Sequence, residues 1–503
     1  MSDTQTLGLV GAIAVLLVWC YEIWHAATFP RHESKTAYGT ARWATKQDLL
    51  RSGLFQATGL VIGRFGKTLL RTTTDKHLLT LAPTRSGKGV SAIIPNLLTY
   101  QGSVFVIDPK GENAAITARQ REALGQAVHV LDPWGITPIP TSALNPLDWL
   151  DPNGEDIAED AAMLADALVF HQGDGPDDSH WDTEAKALLT GLVLHVATME
   201  RAEQRNLCRV RELLTAAPDD FDALMEAMAQ NREAHGLVAR AANRMMQKSE
   251  RELSGVISSA QAHTHFLDSP RMAKVLSHSD FQLSALKLRP KSLFLVLPPE
   301  RLSTFNRWLR LMVGMSLTAM ARIPGKPRRP VLFLLDEFAS LGHLDIIETA
   351  MGLMAGYGVQ LWPILQDLSQ LKALYGQRWQ TFVANAGVVQ AFNVNDPMTA
   401  EHLSSVLGKR TVTVQSQSAG RSGGQHRPSD PNFSVNYSQT GRPLMMPDEI
   451  LRMQPEQQLL LIQGQAPSMV QKIRYYEDAE FKGLFDANPM RSAVVKRPRT
   501  KAG

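Results

Sequence analysis

The sequence predicts an α/β fold, a parallel sheet flanked by helices, and three observations carry that expectation. Apolar residues 78–82 read as a buried strand and residues 93–98 as the apolar face of a helix, with a small-residue loop between them that ends in Gly87-Lys88. Val331-Leu332-Phe333-Leu334-Leu335 runs into Asp336-Glu337. Five apolar residues ending in two acids describe a central parallel strand whose carboxyl end faces a ligand crevice. Between residues 157 and 266 strand signals stop, and apolar residues recur at three and four, as in Ala161, Leu164, Ala165 and Leu168. A helical unit is therefore expected as an insertion in the sheet domain.

The chain opens differently. Residues 7–21 are apolar apart from two glycines, and residues 23–27 continue the run after Glu22. That stretch is about the length a bilayer requires, roughly 20 residues. Trp19, Tyr21 and Trp24 are placed as interfacial anchors. Arg31, Lys35, Arg42 and Lys46 follow the run and only Asp3 precedes it, so positive-inside bias keeps the long remainder in the cytoplasm. A cleaved signal peptide is the rival reading, disfavoured because no basic segment precedes the apolar run. The expectation is a single membrane anchor over residues 1–28.

Residues 60–63 and 68–71 read as two strands of a hairpin, and the loop Thr84-Arg85-Ser86-Gly87-Lys88-Gly89-Val90 follows. A strand, such a loop and a helix make a phosphate cradle: backbone N–H groups at the helix start face the anion, and the lysine reaches the β and γ phosphates. The loop departs from the general pattern G-x-x-x-x-G-K-[ST] at both ends. Ala82 replaces the first glycine, a small change. Gly89 stands where a magnesium-binding hydroxyl belongs, so Mg²⁺ must rely on Asp336, on waters and on the nucleotide. Glu337 is the candidate for orienting and deprotonating the attacking water. A chance Gly-Lys loop, or acids that merely begin a helix, would explain either feature alone. Both together point to a chain that binds and hydrolyses a nucleoside triphosphate.

Residues 102–107 form another expected buried strand, ending at Asp108-Pro109-Lys110-Gly111-Glu112, where Asp108 is a candidate to assist the metal and a solvated turn is the alternative. Residues 128–131 are a third strand. In the helical region, Trp181-Asp182-Thr183-Glu184 opens one helix with acids early, as the dipole favours. Met245, Met246, His263 and His265 read as packing or surface groups, since no third metal ligand is evident. Sheet signals resume at 292–297, then a helix over 301–322, the acid-tipped strand, a helix near 344–355 and a strand over 359–364. That last strand ends at Gln366-Asp367: Gln366 is a candidate γ-phosphate sensor, and an Asp367 helix cap is the alternative. Residues 388–392 are a strand, 411–416 alternate like an exposed strand with 433–437 as its partner, and 458–462 are expected to close the sheet. Residues 489–503 form a basic tail.

Composition sets outer limits. At 503 residues the chain has room for about three domains. A net charge of +3 is too small to argue for nucleic-acid binding. Cys20 and Cys208 lie far apart in dissimilar surroundings and suggest no disulfide framework.

The motifs together resemble the type IV secretion coupling proteins, the TraG-like ATPases of conjugation systems. The likeness is carried by residues 38–44, Pro83-Thr84-Arg85-Ser86-Gly87-Lys88-Gly89-Val90, residues 108–112, Asn145-Pro146-Leu147-Asp148, residues 181–189, Leu335-Asp336-Glu337-Phe338 and Leu407-Gly408-Lys409-Arg410-Thr411. Members of that family often carry Gly-Lys-Gly, which makes Gly89 less anomalous. They commonly have two N-terminal membrane helices, where one is read here. The resemblance implies a RecA-like P-loop NTPase domain over residues 29–154 and 269–488, carrying an all-α, substrate-facing domain at 155–268. It also implies ATP and Mg²⁺ as cofactors and a ring, a hexamer, at the bacterial inner membrane. Cargo in such a system is a relaxase-bound single strand of DNA, or an effector protein, handed to the secretion channel. An arginine supplied in trans would complete the site, and Arg410 is the candidate, with a structural salt bridge as the alternative. A receptor or scaffold that hydrolyses little, and an FtsK-like DNA pump, are the competing readings.

Overall fold

The computed structural model describes residues 19–20, 36–170, 176–421 and 431–490. They divide between two compact units, Trp43–His402 with Pro447–Gly503, and Met1–Arg42 with Leu403–Met446.

The larger unit is built on eleven strands: β1 (Leu60–Phe65), β2 (Thr68–Thr72), β3 (His77–Leu81), β4 (Val104–Asp108), β5 (Ala127–Leu131), β6 (Lys291–Val296), β7 (Val331–Leu335), β8 (Val359–Leu365), β9 (Ala386–Phe392), β12 (Gln457–Ile462) and β13 (Ser468–Gln471). The remaining two, β10 (Lys409–Arg421) and β11 (Pro431–Pro443), form a separate antiparallel ribbon in the smaller unit. The large sheet runs β2-β1-β13-β12-β9-β3-β8-β7-β4-β6-β5. From β9 to β5 every pairing is parallel; from β9 to β2 every pairing is antiparallel.

Composition explains the parallel half. Strands β3, β4, β7, β8 and β9 are buried at every residue, because helices cover both faces of a parallel sheet. Such strands appear in sequence as predominantly apolar runs. The expectation that residues 458–462 close the sheet is corrected: β12 lies between β9 and β13, and the β1–β2 hairpin forms that edge. Strand β13, only four residues long, carries no apolar run of its own.

Between β5 and β6 the described residues form helices and short turns, with no strand. The longer helices there are α3 (Ile157–Leu168), α4 (Pro176–Met199), α5 (Leu207–Leu214), α6 (Pro218–Gln230), α7 (Leu237–Met246) and α8 (Glu250–Thr264), preceded in the chain by α1 (Ile94–Thr99) and α2 (Glu112–Ala123). Ion pairs tie some of them: Glu184 on α4 meets Arg244 on α7 at 2.6 Å and Lys248 at 3.0 Å. Helix α9 (Leu302–Arg322) follows β6 and is buried along most of its length. No helix among the described residues is long and apolar enough to cross a membrane. Apart from Trp19 and Cys20, the segment expected as an anchor lies outside the described residues, as does most of the basic tail.

Candidate active site

Strand β3 sits between β9 and β8, and its carboxyl end delivers the loop. Ala82 adds one more bond to the sheet, donating to the Leu365 carbonyl at 2.7 Å. Its φ is not positive, so the missing first glycine asks nothing unusual of alanine. Arg85 (φ 65°) and Gly87 (φ 89°) then take left-handed backbone, and Ser86 N–H bonds the Pro83 carbonyl at 3.1 Å. Only a tight turn of this kind returns the chain to a helix start. The helix begins as a π turn over Gly89–Ile93 before continuing as α1. A Cβ on Gly89 would meet no heavy atom within 4 Å, so nothing steric excludes a hydroxyl residue there.

Strand β7 brings in the acids. Lys88 Nζ lies 2.8 Å from Asp336 Oδ1 and 2.5 Å from Glu337 Oε1. Glu337 occupies left-handed backbone (φ 51°, ψ 44°), a conformation that costs a non-glycine residue about 1 kcal/mol or more and is concentrated at functional sites. Gln366, at the end of β8, donates from Nε2 to Glu337 Oε2 at 3.5 Å. Its neighbour Asp367 caps the next helix by accepting from Gln370 N–H at 3.1 Å, so sensor position and cap coexist on adjacent residues. Asp108, at the end of β4, is fully buried. It accepts from Ala114 N–H at 2.8 Å and from Asn113 Nδ2 at 3.3 Å, which ties it to the start of α2.

The charges do not balance. Burial lowers the Lys88 pKa, but the charges of Asp336 and Glu337 outweigh it and hold the ammonium ionised above the usual lysine range. Burial raises Asp336 against the pull of Lys88, with Glu337 adding to the rise. Burial raises Asp108 to about 7, and repulsion from Asp336 adds to it. One ammonium faces the two acids at the end of β7, and Asp108 adds a further carboxyl within electrostatic reach of Asp336, a surplus that suits a divalent cation. Ser86 Oγ is buried with no partner among the described residues, which suits a phosphate oxygen at the loop. The residues therefore fit a magnesium-bound polyphosphate.

Sequence reasoning missed the second side of the loop. Lys472, just after β13, donates from Nζ to the Ser86 carbonyl at 2.7 Å and also bonds Asn393 Oδ1. Burial lowers its pKa to about 8. Beside it opens a cleft of about 880 Å³ lined by Pro83 to Gly87, Arg64, Asn393, Lys472, Arg474 and Tyr476. A cation closing a short strand was the available signal, and it was not read because β13 itself was not.

Lys88, Asp336, Glu337 and Gln366 thus converge, with Asp108 close behind Asp336. Thr84 and Arg85 are exposed on the loop, while Gly89 and Val90 open the helix behind it. Arg410 belongs to the other compact unit, where it is exposed, pairs in register with Arg442 and bridges to Thr40.

The fold and site define a class: mixed α/β proteins with a glycine-lysine loop and an acid pair at the carboxyl ends of a central parallel sheet. Residues 42–499 match the model of a particular family, described as type IV secretory system conjugative DNA transfer. The chain belongs to that family. It is 33% identical over 461 residues to the conjugal transfer protein TraG of Escherichia coli, covering 83% of this chain and 71% of the relative. It is 31% identical over 470 residues to the protein VirD4 of Rhizobium rhizogenes, covering 89% and 67%. Among solved structures, the unbound bacterial conjugative coupling protein TrwBdeltaN70 superposes with a TM-score of 0.64 at 19% identity, covering 86% of this chain and 92% of that one. Plasmid coupling protein TrwB in complex with the non-hydrolysable ATP analogue ADPNP gives 0.64 at 18% identity, covering 86% and 93%.

Proposed function

We propose that this chain is a membrane-anchored coupling ATPase of a conjugative type IV secretion system, which hydrolyses ATP to deliver a relaxase-bound DNA strand, or an effector protein, to the secretion channel. One observation carries the catalytic part: the loop lysine, Lys88, lies within hydrogen-bond distance of both acids at the end of β7. That pairing assembles the minimum set for phosphoryl transfer to water. Backbone N–H groups of residues 87–90 and Ser86 Oγ hold the phosphates, and Lys88 draws charge from the terminal ones. Asp336 would hold Mg²⁺, and Asp108, once ionised, would assist it. Magnesium, when bound, neutralises charge on the bridging and terminal phosphate oxygens. Glu337 accepts a proton from the attacking water, and Gln366, hydrogen-bonded to it, fixes the direction in which its carboxylate points.

The wider reading has its own supports. An apolar run over residues 7–27 followed by basic residues supports a single pass through the bacterial inner membrane. The helices between β5 and β6 support an all-α domain at 155–268 that faces the cargo. A hexameric ring, with Arg410 of one subunit reaching the nucleotide of the next, follows from how RecA-like motors complete their sites.

The test is ATP hydrolysis by residues 36–503 with and without single-stranded DNA, with Lys88→Ala and Glu337→Gln as controls. Turnover is expected to rise with DNA and to fall by about 10²–10⁴-fold in Glu337→Gln, the range for losing a general base. Nucleotide binding without turnover in any condition would transfer the assignment to a receptor or scaffold.

A further inference from the structure

A second path into Glu337 comes from the helices. Helix α3 lies along α9 and is held at both ends: Arg322 bonds Asp160 near the start of α3, while Arg307 and Arg310 meet its end. The last carbonyls of a helix have no partner within it. Arg307 Nε donates to the Leu168 carbonyl at 3.1 Å and Arg310 Nε to that of Ala167 at 3.4 Å, satisfying two of them. Both guanidinium groups also face the ring of Phe170, which follows α3, at 4.9 and 3.9 Å from its centroid.

Arg310 has another face. Its Nη1 donates to the carbonyls of Leu341 at 2.8 Å and His343 at 2.6 Å. Leu341 ends, and His343 closely follows, the single turn of 3-10 helix, Phe338–Leu341, that Glu337 caps, and Ser340 N–H bonds back to the Glu337 carbonyl at 2.8 Å. Gly342 (φ 68°) passes so close that a Cβ there would lie 3.2 Å from Phe170. One planar, buried guanidinium therefore joins the end of α3 to the turn that sets the backbone of Glu337. Lysine has neither the fork nor the flat face to do both.

The connection continues outward. Arg307 Nη2 lies 3.0 Å from His263 Nδ1 on α8, and His263 Nε2 lies 2.8 Å from Asp182 Oδ1 on α4. Helices α3, α4 and α8 thus meet α9 through side chains one helical turn from the residue that holds the turn after the acids.

We propose that Arg310 is a positioning residue that fixes Glu337 for water activation and transmits movement of the helical region, through Phe170, to that carboxylate. This rests on the reading of Glu337 as the base. Physically, the coupling is a short rigid turn clamped from one side by a group that the helices control.

The experiment uses the full chain in detergent. Arg310→Lys is expected to lower kcat for ATP by about 10–100-fold while KM changes less than twofold, since the partners of Arg310 are the end of α3 and the turn after the acids, not the phosphate loop. In a Glu337→Gln background the same substitution is expected to leave the residual turnover unchanged, because the group it positions is gone. Unaltered kcat in Arg310→Lys, a parallel rise in KM, or an equal loss in the Glu337→Gln background would each overturn the proposal. Hydrogen exchange reads the clamp without turnover, and so separates it from the hydrolysis reading. Amides of residues 337–344 are expected to exchange at least tenfold faster in Arg310→Lys and in Phe170→Leu than in the parent. Unchanged protection there overturns the clamp whether or not the parent hydrolyses ATP.

Discussion

Replacing Lys472 by methionine removes a cation that never touches the acid pair, yet nucleotide affinity is expected to fall. The peptide group is planar and trans, so its C=O and N–H point in opposite directions. Lys472 holds the Ser86 carbonyl at 2.7 Å on the cleft side. The N–H of Gly87, in the same peptide plane, is thereby turned the other way and held for a phosphate oxygen. Without Lys472 the peptide is free to rotate, and one charge-assisted hydrogen bond to phosphate, about 1.5–3 kcal/mol, is lost or shared with an alternative conformer. At about 1.4 kcal/mol per tenfold, affinity for a fluorescent ATP analogue should drop by about 10–100-fold in an equilibrium titration. The pH dependence sharpens the test. Burial puts the folded-state pKa of Lys472 near 8, below the lysine value of 10.5. As pH rises through 8, the ammonium becomes a neutral amine and a weaker donor, whereas Lys88 remains charged. Parent affinity should weaken a few-fold across that window, and Lys472→Met should show no such step. A mutant that binds within twofold of the parent, or that keeps the step, refutes the reasoning.

Two further predictions concern stability. Folded Asp108 keeps its proton up to about pH 7, while the unfolded group loses it near 3.8, so between those values the native state binds more protons and stability falls as pH rises. The melting temperature of Asp108→Asn, relative to the parent, should therefore climb from about pH 4 to about pH 7 and then level off; a constant offset would contradict the assignment. Glu184 is pulled the other way, to about 2, chiefly by its hydrogen bond from Arg244, so its contribution is present above the unfolded value of 4.5 and lost as pH falls through about 2. Glu184→Gln should cost about 1.5 kcal/mol at neutral pH, the low end for a charged hydrogen bond because half of the Arg244 side chain is exposed. The loss should shrink in acid, as read by thermal melts.

What could be read in advance follows from which faces are buried. Strands β3, β4, β7 and β8 announce themselves because both faces are covered, so most of their residues are apolar, with only His77, Thr80, Asp108 and Gln360 as buried polar exceptions. The acids at the end of β7 and the loop after β3 are legible for the same reason: each interrupts such a run with residues a core would reject. Sheet order is not written in composition. Leu459-Leu460-Leu461 reads as a closing strand when it pairs with β9 on one side and β13 on the other. Lys472 and Arg310 were missed because their partners are mostly main-chain carbonyls, with one amide and one aromatic ring, and none of these is a complementary charge visible in the sequence. A single arginine on a helix otherwise reads as a solvated face.

The strand order also has a kinetic consequence. Strand β3 ends at Leu81, yet its two neighbours, β8 and β9, end at Leu365 and Phe392. During synthesis the first strand of the site must wait for roughly 300 further residues, about 15–60 s at bacterial rates of about 5–20 residues per second. Pairings this distant in sequence also form slowly once both partners exist. Until β8 and β9 emerge, both edges of this fully buried strand have no native partner. The nascent chain is then open to strand-to-strand aggregation and to capture by chaperones, and truncations ending before residue 386 leave β3, and the loop it carries, without the β9 partner on one edge.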